Sequence, residues 1–278
     1  MIKIILLGFI IILMLILTLK TKESLENIPK NIPKNIPKKI PKIVLQTYKD
    51  KSLISPKVYE NIKKYGEGYE HIVYDDNDCL EFIKKHNNIL YNKNLIDVWN
   101  SLENGAHKAD LFRYCVLYVK GGIYLDIKTK LIKPLEETFT RDNTLYTVIC
   151  NNFGKNPTCI YQGVIASPPR NKIFLELIDY VANSTNVKSY FKFVRDFYKK
   201  VSRKTGECLL KNEFYKNNDD DIDFYLFQEK CEGKEVCEKL NEHLDLYGLC
   251  CHIYDKDKLI IKTRMDEWID RKNGFNSK

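Results

Sequence analysis

The chain has 278 residues, of which 44% are hydrophobic and 29% are charged, a composition typical of an ordinary globular protein. Its net charge is +8, but residues 1–42 hold eight lysines and two glutamates and so account for +6, which leaves +2 for residues 43–278. The part of the chain that can form a core is therefore almost neutral. This balance argues against a nucleic-acid-binding protein, which needs a basic surface.

An apolar run near the N-terminus predicts a membrane anchor. Residues 4–19 are 16 apolar or weakly polar residues between Lys3 and Lys20. As a helix they would span roughly 24 Å at about 1.5 Å per residue, slightly less than a ~30 Å hydrocarbon core, and the flanking lysines can snorkel. Because no small-x-small cleavage site follows, an uncleaved anchor is favoured over a signal peptide. We assign residues 1–19 to a short tail and this anchor.

A proline-rich repeat follows the anchor. Residues 27–42 contain Asn-Ile-Pro-Lys three times and then Lys-Ile-Pro-Lys. Proline at every fourth position excludes a helix and favours an extended spacer. We therefore predict a stem over residues 20–42 and a single globular domain over residues 43–278. This layout is typical of a type II membrane enzyme.

Strand and helix patterns alternate in the globular domain. Strands are predicted at residues 42–48, 69–74 and 123–127, and helices at residues 56–65, 78–86 and 106–120, the last closed by Gly121-Gly122. Such alternation predicts an α/β domain with a mainly parallel sheet. The remaining predicted elements are strands at 145–150 and 160–166, helices at 171–182 and 188–204, and a small β addition at 249–254 and 258–263.

Three charged residues between positions 106 and 135 form a candidate site. Asp110 and Arg113 are three residues apart on a predicted helix and so share a face. Asp126 ends the next strand, and open α/β sheets bind ligands beyond the carboxyl ends of their strands. A carboxylate there can hold a ribose hydroxyl or a metal ion, and an arginine can fix that carboxylate. A simple Asp110–Arg113 ion pair on the helix surface is the alternative.

The nine cysteines match no paired zinc-binding spacing. Cys115 lies in an apolar helix and is expected to be buried. Cys150 with Cys159, or Cys231 with Cys237, are candidate disulfides in an oxidising compartment, and the connectivity stays open.

Three segments resemble glycosyltransferase family 32. They are IPKIVLQTYK (residues 40–49), ADLFRYCVLYVKGGIYLDIKTKLIKPL (109–135) and YQGVIASPPRNKIF (161–174), of which the second is the most specific. This family contains the DXD-type sugar transferases related to the yeast initiating α-1,6-mannosyltransferase and to capsular polysaccharide enzymes. The resemblance implies a GT-A-like fold, a nucleotide-sugar donor, a glycan or glycoconjugate acceptor, retention at the anomeric carbon and a divalent metal, commonly Mn²⁺.

The resemblance also implies roles for single residues. Asp110 and Arg113 match the pair that orders the nucleotide and sugar, and Asp126 matches the first DXD aspartate, the catalytic residue that reaches the ribose and the metal. The other implied residues are Gln46 at the nucleotide base, Gln162 as an amide for a sugar hydroxyl, Thr205 and Gly206 in a loop beside the sugar, and His252 as a second metal ligand.

Lys128 departs from the family pattern because it stands where DXD has its second aspartate. Either another group completes the metal shell, or the ammonium replaces part of the metal's charge on the diphosphate. Strand alternation would send Asp126 and Lys128 to the same side, which favours the second alternative. Lys128 also leaves open a non-catalytic glycan-binding protein on the same fold. A structural membrane protein with a lipid-binding basic stem is a third reading.

Two arguments about membrane orientation conflict. The resemblance implies a domain in a Golgi- or ER-like lumen. The lysines after the anchor outnumber Lys3, however, and the positive-inside rule favours leaving that flank in the cytosol. We predict the lumenal, type II orientation because acceptor glycans are usually found there.

Overall fold

The computed structural model describes residues 29, 37–150, 160–183, 214–215, 222–240, 242 and 249–265. Within these ranges no helix is both long and apolar enough to cross a membrane. The predicted anchor at residues 4–19, the predicted helix at 188–204 and the Thr205-Gly206 pair all lie outside the described residues.

One mixed sheet forms the centre of the described structure. Its strands lie in the order β2-β1-β3-β6-β5-β8-β9-β10-β4, and β7 pairs with β8. Their bounds are β1 (Ile43–Thr47), β2 (Glu70–Tyr74), β3 (Gly122–Leu125), β4 (Lys130–Leu131), β5 (Thr144–Ile149), β6 (Ile160–Ser167), β7 (Phe214–Tyr215), β8 (Asp223–Glu232), β9 (Cys250–Asp255) and β10 (Lys258–Lys262).

The prediction of a mainly parallel sheet is wrong. Among the described strands, β1 is parallel to both β2 and β3, and β5 is parallel to β8, whereas the other pairs are antiparallel. Helices return the chain between the first three strands, which is the kind of connection that a parallel pair requires. The C-terminal strands are joined more tightly, as β9 and β10 are by a turn with Lys256 at φ 56°. Short turns enforce antiparallel pairing.

Five of the seven α-helices in the described residues begin at polar caps. Asp75 and Asp78 form a reciprocal capping box, so α2 starts two residues before the predicted position and also runs further, to Leu90. Ser55, Asn94, Asn104 and Asn171 cap four other helices. The helices are α1 (Pro56–Tyr65), α2 (Asp76–Leu90), α3 (Leu95–Ser101), α4 (Gly105–Lys120), α5 (Leu135–Thr138), α6 (Lys172–Ala182) and α7 (Lys234–Lys239), and a short 3₁₀ helix covers Lys51–Leu53.

Two hydrophobic clusters use alternate residues of the same strands. Leu45 and Tyr124 join the cluster built with α2, α3, α4 and α6, whereas their neighbours Val44 and Ile123 join the other. This alternation places the two clusters on opposite faces of the sheet. Every residue of α4 from Asp110 to Tyr118 is buried, including the charged ones. The most specific sequence segment therefore lies in the centre of the fold.

The disulfides of the described residues contradict one of the two candidate pairs, Cys231 with Cys237. Cys231 is bonded to Cys251, which lies directly opposite it in the β8–β9 register, and Cys237 is bonded to Cys250. The pairing of Cys231 with Cys237 is therefore wrong, because a cross-strand neighbour is closer than a residue six positions along the chain. Cys150 is also disulfide-bonded. Cys115 is a buried free thiol, as predicted.

Candidate functional site

Two glycines connect the end of α4 to β3. Gly121 has φ +66° and Gly122 has φ +100°, which L-residues with side chains rarely adopt. A Cβ on Gly122 would also approach the carbonyl oxygen of Ile43 to 2.7 Å. The pair is thus a tight helix-to-strand turn packed against β1. This turn therefore sets the position of β3, and of Asp126 at its end, relative to the buried helix.

Arg113 joins two carboxylates at the end of β3. Its Nη1 donates to Asp110 Oδ1 at 2.5 Å, and its Nη2 donates to Asp126 Oδ1 at 3.0 Å. Arg113 and Asp110 are 5% and 3% exposed, whereas the Asp126 side chain is 38% exposed. The Asp110–Arg113 pair is therefore not a surface ion pair. The buried guanidinium holds Asp126, the one of the two carboxylates that reaches solvent.

The charge of Arg113 is stabilised by its surroundings. Burial alone would lower the pKa of Arg113, but Tyr124, Asp110 and Asp126 together raise this pKa well above its ordinary value. The guanidinium carbon also lies 4.6 Å from the centre of the Tyr124 ring. Arg113 is thus a permanent cation, and Asp126 is its partly exposed partner.

The backbone of Asp126 is held from three directions. Its N–H donates to the Gly163 carbonyl at 2.8 Å, and its own carbonyl accepts from Thr129 N at 2.9 Å and from Gln46 Nε2 at 3.4 Å. The Thr129 bond closes a turn over residues 126–129, and β3 ends at Leu125. The strand predicted to continue to Ile127 is therefore too long. Strand alternation does not determine where Lys128 points.

Gln46 is completely buried beside Asp126. Its Oε1 accepts from His71 Nε2 at 2.8 Å while its amide nitrogen reaches the Asp126 carbonyl. The chain His71–Gln46–Asp126 therefore fixes the turn that carries the site carboxylate. Contact between Gln46 and a nucleotide base stays a prediction.

Tyr161 and Gly163 line the other side of Asp126. A Cβ on Gly163 would lie 2.4 Å from the Tyr161 hydroxyl and 2.6 Å from Asp126 Oδ2, so these two oxygens flank the same small space. Gln162 is 6% exposed, and its Oε1 has no hydrogen-bond partner among the described residues. A contact of Gln162 with a sugar hydroxyl stays a prediction.

His252 lies on β9, where its ring is close to the Cys251 carbonyl and to Glu242. Its Nδ1 is 2.6 Å from the Cys251 carbonyl oxygen, and its Nε2 is 3.6 Å from Glu242 Oε2. Burial lowers the pKa of His252, and the Glu242 carboxylate opposes that shift. Glu242 in turn accepts from Lys262 at 2.5 Å. Within the described part of the chain, His252 therefore contacts Glu242 and pairs with Lys262 of β10, and it makes no contact with Asp126.

DXD glycosyltransferases generally use a divalent metal, and the described residues do not fit one held by Asp126 and His252. In the described part of the chain, one group of three side chains has its ligand atoms close enough together to hold a metal ion. This group consists of Glu229, Cys231 and Cys251. Its two sulfurs are bonded to each other in a disulfide, so they offer no thiolate. Neither Asp126 nor His252 belongs to this group.

A family model described as "Glycosyltransferase sugar-binding region containing DXD motif" matches residues 55–146. This region contains the Asp110–Arg113–Asp126 arrangement. Over residues 55–146 the chain is therefore similar to the DXD-type glycosyltransferases. The resemblance stated from the sequence is confirmed over this region.

Two curated proteins are similar to this chain over part of their length. An initiation-specific alpha-1,6-mannosyltransferase of Candida albicans is 29% identical over 104 residues, which are 37% of this chain and 24% of the relative. An uncharacterized glycosyltransferase of Acanthamoeba polyphaga mimivirus is 29% identical over 181 residues, 63% of this chain and 64% of the relative. In both cases the chain covers less than two thirds of the relative.

Solved structures of glycosyltransferases are more distant. The PaToxG glycosyltransferase is 16% identical, with a TM-score of 0.41 over 59% of this chain and 69% of that one. A glycosyltransferase involved in the glycosylation of the major capsid of PBCV-1 is 15% identical, with a TM-score of 0.30 over 66% of this chain and 80% of that one.

Sequence reasoning missed the residues that approach Asp126 from the rest of the sheet. The sequence gives no role to Tyr161 or Gly163, although a glycine inside a strand often marks a close approach of another group. Glu229 and Arg264 carried no signal, because contacts between distant parts of the chain bring them to the site.

Proposed function

We propose that the chain transfers a sugar from a nucleoside diphosphate sugar to a glycan or glycoconjugate acceptor, with retention at the anomeric carbon. The observation that supports this proposal is the buried Arg113, which fixes the partly exposed Asp126 carboxylate beyond the carboxyl end of β3. This is the position at which an open α/β sheet binds a nucleotide.

The geometry supports a positioning mechanism. Arg113 occupies Asp126 Oδ1, so Oδ2, on the side of Gly163, is the oxygen directed toward a hydroxyl of the donor's ribose or sugar. The leaving diphosphate develops negative charge as the bond to the sugar breaks, and fixed donors that match this charge lower the barrier. Holding donor and acceptor together supplies the remainder of the proposed rate enhancement.

The test is donor hydrolysis by the full chain with a panel of UDP- and GDP-sugars. We expect one donor to be hydrolysed, with faster consumption once its acceptor is added. Asp126→Asn removes the charge and keeps the shape, so it should lose this activity. Absence of hydrolysis and transfer for every donor, with a folded protein, contradicts the proposal.

A non-catalytic glycan-binding protein is the second candidate. Lys128 favours it, because a lysine stands where a metal-binding carboxylate is expected and the described residues do not complete a metal site at Asp126. Turnover of any donor excludes this function, whereas glycan binding without turnover supports it.

Nucleotide binding excludes the third reading, a structural membrane protein, because a membrane tether needs no nucleotide affinity.

We further propose that residues 4–19 anchor the protein in a membrane and that the domain lies in an oxidising, Golgi- or ER-like lumen. The apolar run and the proline-lysine stem support the anchor. The Cys231–Cys251 and Cys237–Cys250 disulfides support the oxidising compartment, since cytosolic thiols are kept reduced.

A further inference from the structure

A second ion pair, outside the family's sequence motif, lies near Asp126. Glu229 on β8 is 2% exposed, and its Oε1 is 3.3 Å from Arg264 Nη2. The Arg264 side chain is 32% exposed. A buried carboxylate is costly without a cation, so Glu229 strongly favours this position of the guanidinium. The pair thus holds an arginine at a fixed place where it still reaches solvent.

The backbone around Arg264 is attached to the Asp126 turn. Arg264 itself has φ 60°, in the left-handed region. On one side, Thr263 N and Oγ1 both donate to the Cys251 carbonyl, at 3.1 and 2.8 Å. On the other side, Met265 N donates to the Lys128 carbonyl at 3.0 Å. The segment that carries Arg264 therefore docks on the residue that replaces the second DXD aspartate.

Tyr161 connects the two ion pairs. Its hydroxyl shares the space above Gly163 with Asp126 Oδ2. Burial raises the pKa of Tyr161 well above its ordinary value, the carboxylates of Asp126 and Glu229 raise it further, and the guanidiniums of Arg264 and Arg113 oppose them. The geometric link between the two pairs is the hydrogen bond from Met265 N to the Lys128 carbonyl at 3.0 Å, which joins the neighbour of Arg264 to the turn that begins at Asp126.

We propose that Arg264, oriented by Glu229, binds the diphosphate of the nucleotide-sugar and supplies positive charge as that group leaves. A guanidinium presents five N–H donors in a planar fork that fits phosphate oxygens. The Arg264 side chain is 32% exposed, so a ligand can reach this guanidinium from solvent. Arg264 is thus a donor-binding residue and Glu229 a positioning residue. This inference rests on the proposed function, because it assigns a role within the same donor site.

The test compares the affinities of the full chain for UDP and UMP, and for GDP and GMP, by titration calorimetry. A charge-assisted hydrogen bond contributes about 1.5–3 kcal/mol, so Arg264→Gln should weaken diphosphate binding by roughly 10- to 100-fold. Monophosphate binding should change much less, and the ratio of the two affinities should fall. Arg264→Lys keeps the charge and should give an intermediate ratio.

Two further variants separate positioning from stability. Glu229→Gln should lower the diphosphate-to-monophosphate ratio even where thermal unfolding shows a folded protein, because the guanidinium loses its fixed orientation. Arg170→Gln is the matched control. Arg170 also has positive φ, at 64°, but its guanidinium lies 5.1 Å from the centre of the Tyr118 ring. This control should leave the ratio unchanged.

The outcomes are distinguishable. If wild type prefers a diphosphate and Arg264→Gln keeps the same preference, the role of Arg264 is overturned while the proposed function stands. If Glu229→Gln lowers only the melting temperature, Glu229 has a structural role alone and the assignment of Glu229 fails. If wild type binds none of the nucleotides, the proposed function fails, and the Arg264 assignment fails with it.

Discussion

At the scale of single residues, the two carboxylates that share Arg113 are expected to have different roles. Asp110 is 3% exposed and Asp126 is 38% exposed at the side chain. Removing one member of a buried ion pair leaves the other charge uncompensated, whereas a partly exposed carboxylate can be replaced by water. Asp110 therefore contributes mainly to stability, and Asp126 is directed toward a ligand.

This difference gives a paired prediction. Asp110→Ala should lower the free energy of unfolding by about 3–5 kcal/mol. Asp126→Ala should change it much less and should reduce turnover by about 100-fold or more, the scale seen when a preorganised electrostatic contact is removed. Denaturant unfolding and donor hydrolysis measure the two effects. Normal activity of both variants with a verified donor contradicts the assignment of the site.

Gly163 allows Asp126 and Tyr161 to approach each other. In Gly163→Ala the new methyl group would lie 2.4 Å from the Tyr161 hydroxyl and 2.6 Å from Asp126 Oδ2. We expect overpacking to lower the free energy of unfolding by about 1–3 kcal/mol. The rate of donor hydrolysis by the folded variant should also fall, because the added methyl group occupies the space beside Asp126 Oδ2. Adding Tyr161→Phe removes one of the two clashing oxygens and should restore part of the stability.

The control for this variant is Gly105→Ala, at the first position of α4, where an added Cβ meets nothing within 4 Å. It should fold and act like wild type or be slightly more stable, because alanine lowers the entropy of the unfolded chain. Full activity of Gly163→Ala would show that the small space above Gly163 is not used by the donor.

Metal dependence is a further prediction at this scale. Arg113 and Arg264 bring fixed positive charge to the surroundings of Asp126, and the described residues complete no metal site there. We expect donor hydrolysis to keep most of its rate in EDTA and to gain little from added Mn²⁺. Lys128→Ala should be slower if the lysine supplies part of the charge. Complete loss in EDTA that Mn²⁺ restores, with Lys128→Ala unimpaired, contradicts this expectation.

At the scale of elements, local sequence signals predicted the part of the site built from one short segment. The α4–β3 unit was placed within two residues, because Gly121-Gly122 ends the helix and apolar spacing marks both elements. The end of β3 was missed, since the turn at Asp126 depends on Gln46 and Gly163, which are far away in sequence. The antiparallel strands were missed for the same reason, because pairing partners are chosen by contacts that no local pattern contains.

The β8–β9 pair carries a prediction of its own. One disulfide joins β8 to β9, and a second joins β9 to α7. The same two strands carry Glu229 and the Cys251 carbonyl, which accepts a hydrogen bond from Thr263. A disulfide that closes a loop of this size stabilises by about 2–4 kcal/mol. Dithiothreitol should therefore lower the melting temperature clearly. The effect should shrink in Cys237→Ser/Cys250→Ser, which lacks one bond already. An unchanged melting temperature after reduction, verified by thiol counting, contradicts this role.

At the scale of the whole molecule, the charge of the stem and the chemistry of the domain favour opposite orientations. Eight lysines lie within residues 1–42, and seven of them follow the apolar run. The positive-inside rule counts such residues near the anchor and would retain the domain in the cytosol. The disulfides of the domain instead need an oxidising compartment to form and persist.

We expect the lumenal orientation. The positive-inside rule describes only a bias of insertion, whereas in the cytosol the four paired cysteines would be reduced and the β8–β9 region would lose its cross-links. Protease treatment of sealed vesicles that contain the full chain measures the orientation. The domain should survive without detergent and be digested once detergent opens the vesicles, and a cytosolic tag placed before residue 4 should be lost in both cases. Digestion of the domain in intact vesicles, while a known lumenal marker survives, would place it in the cytosol and overturn the type II topology.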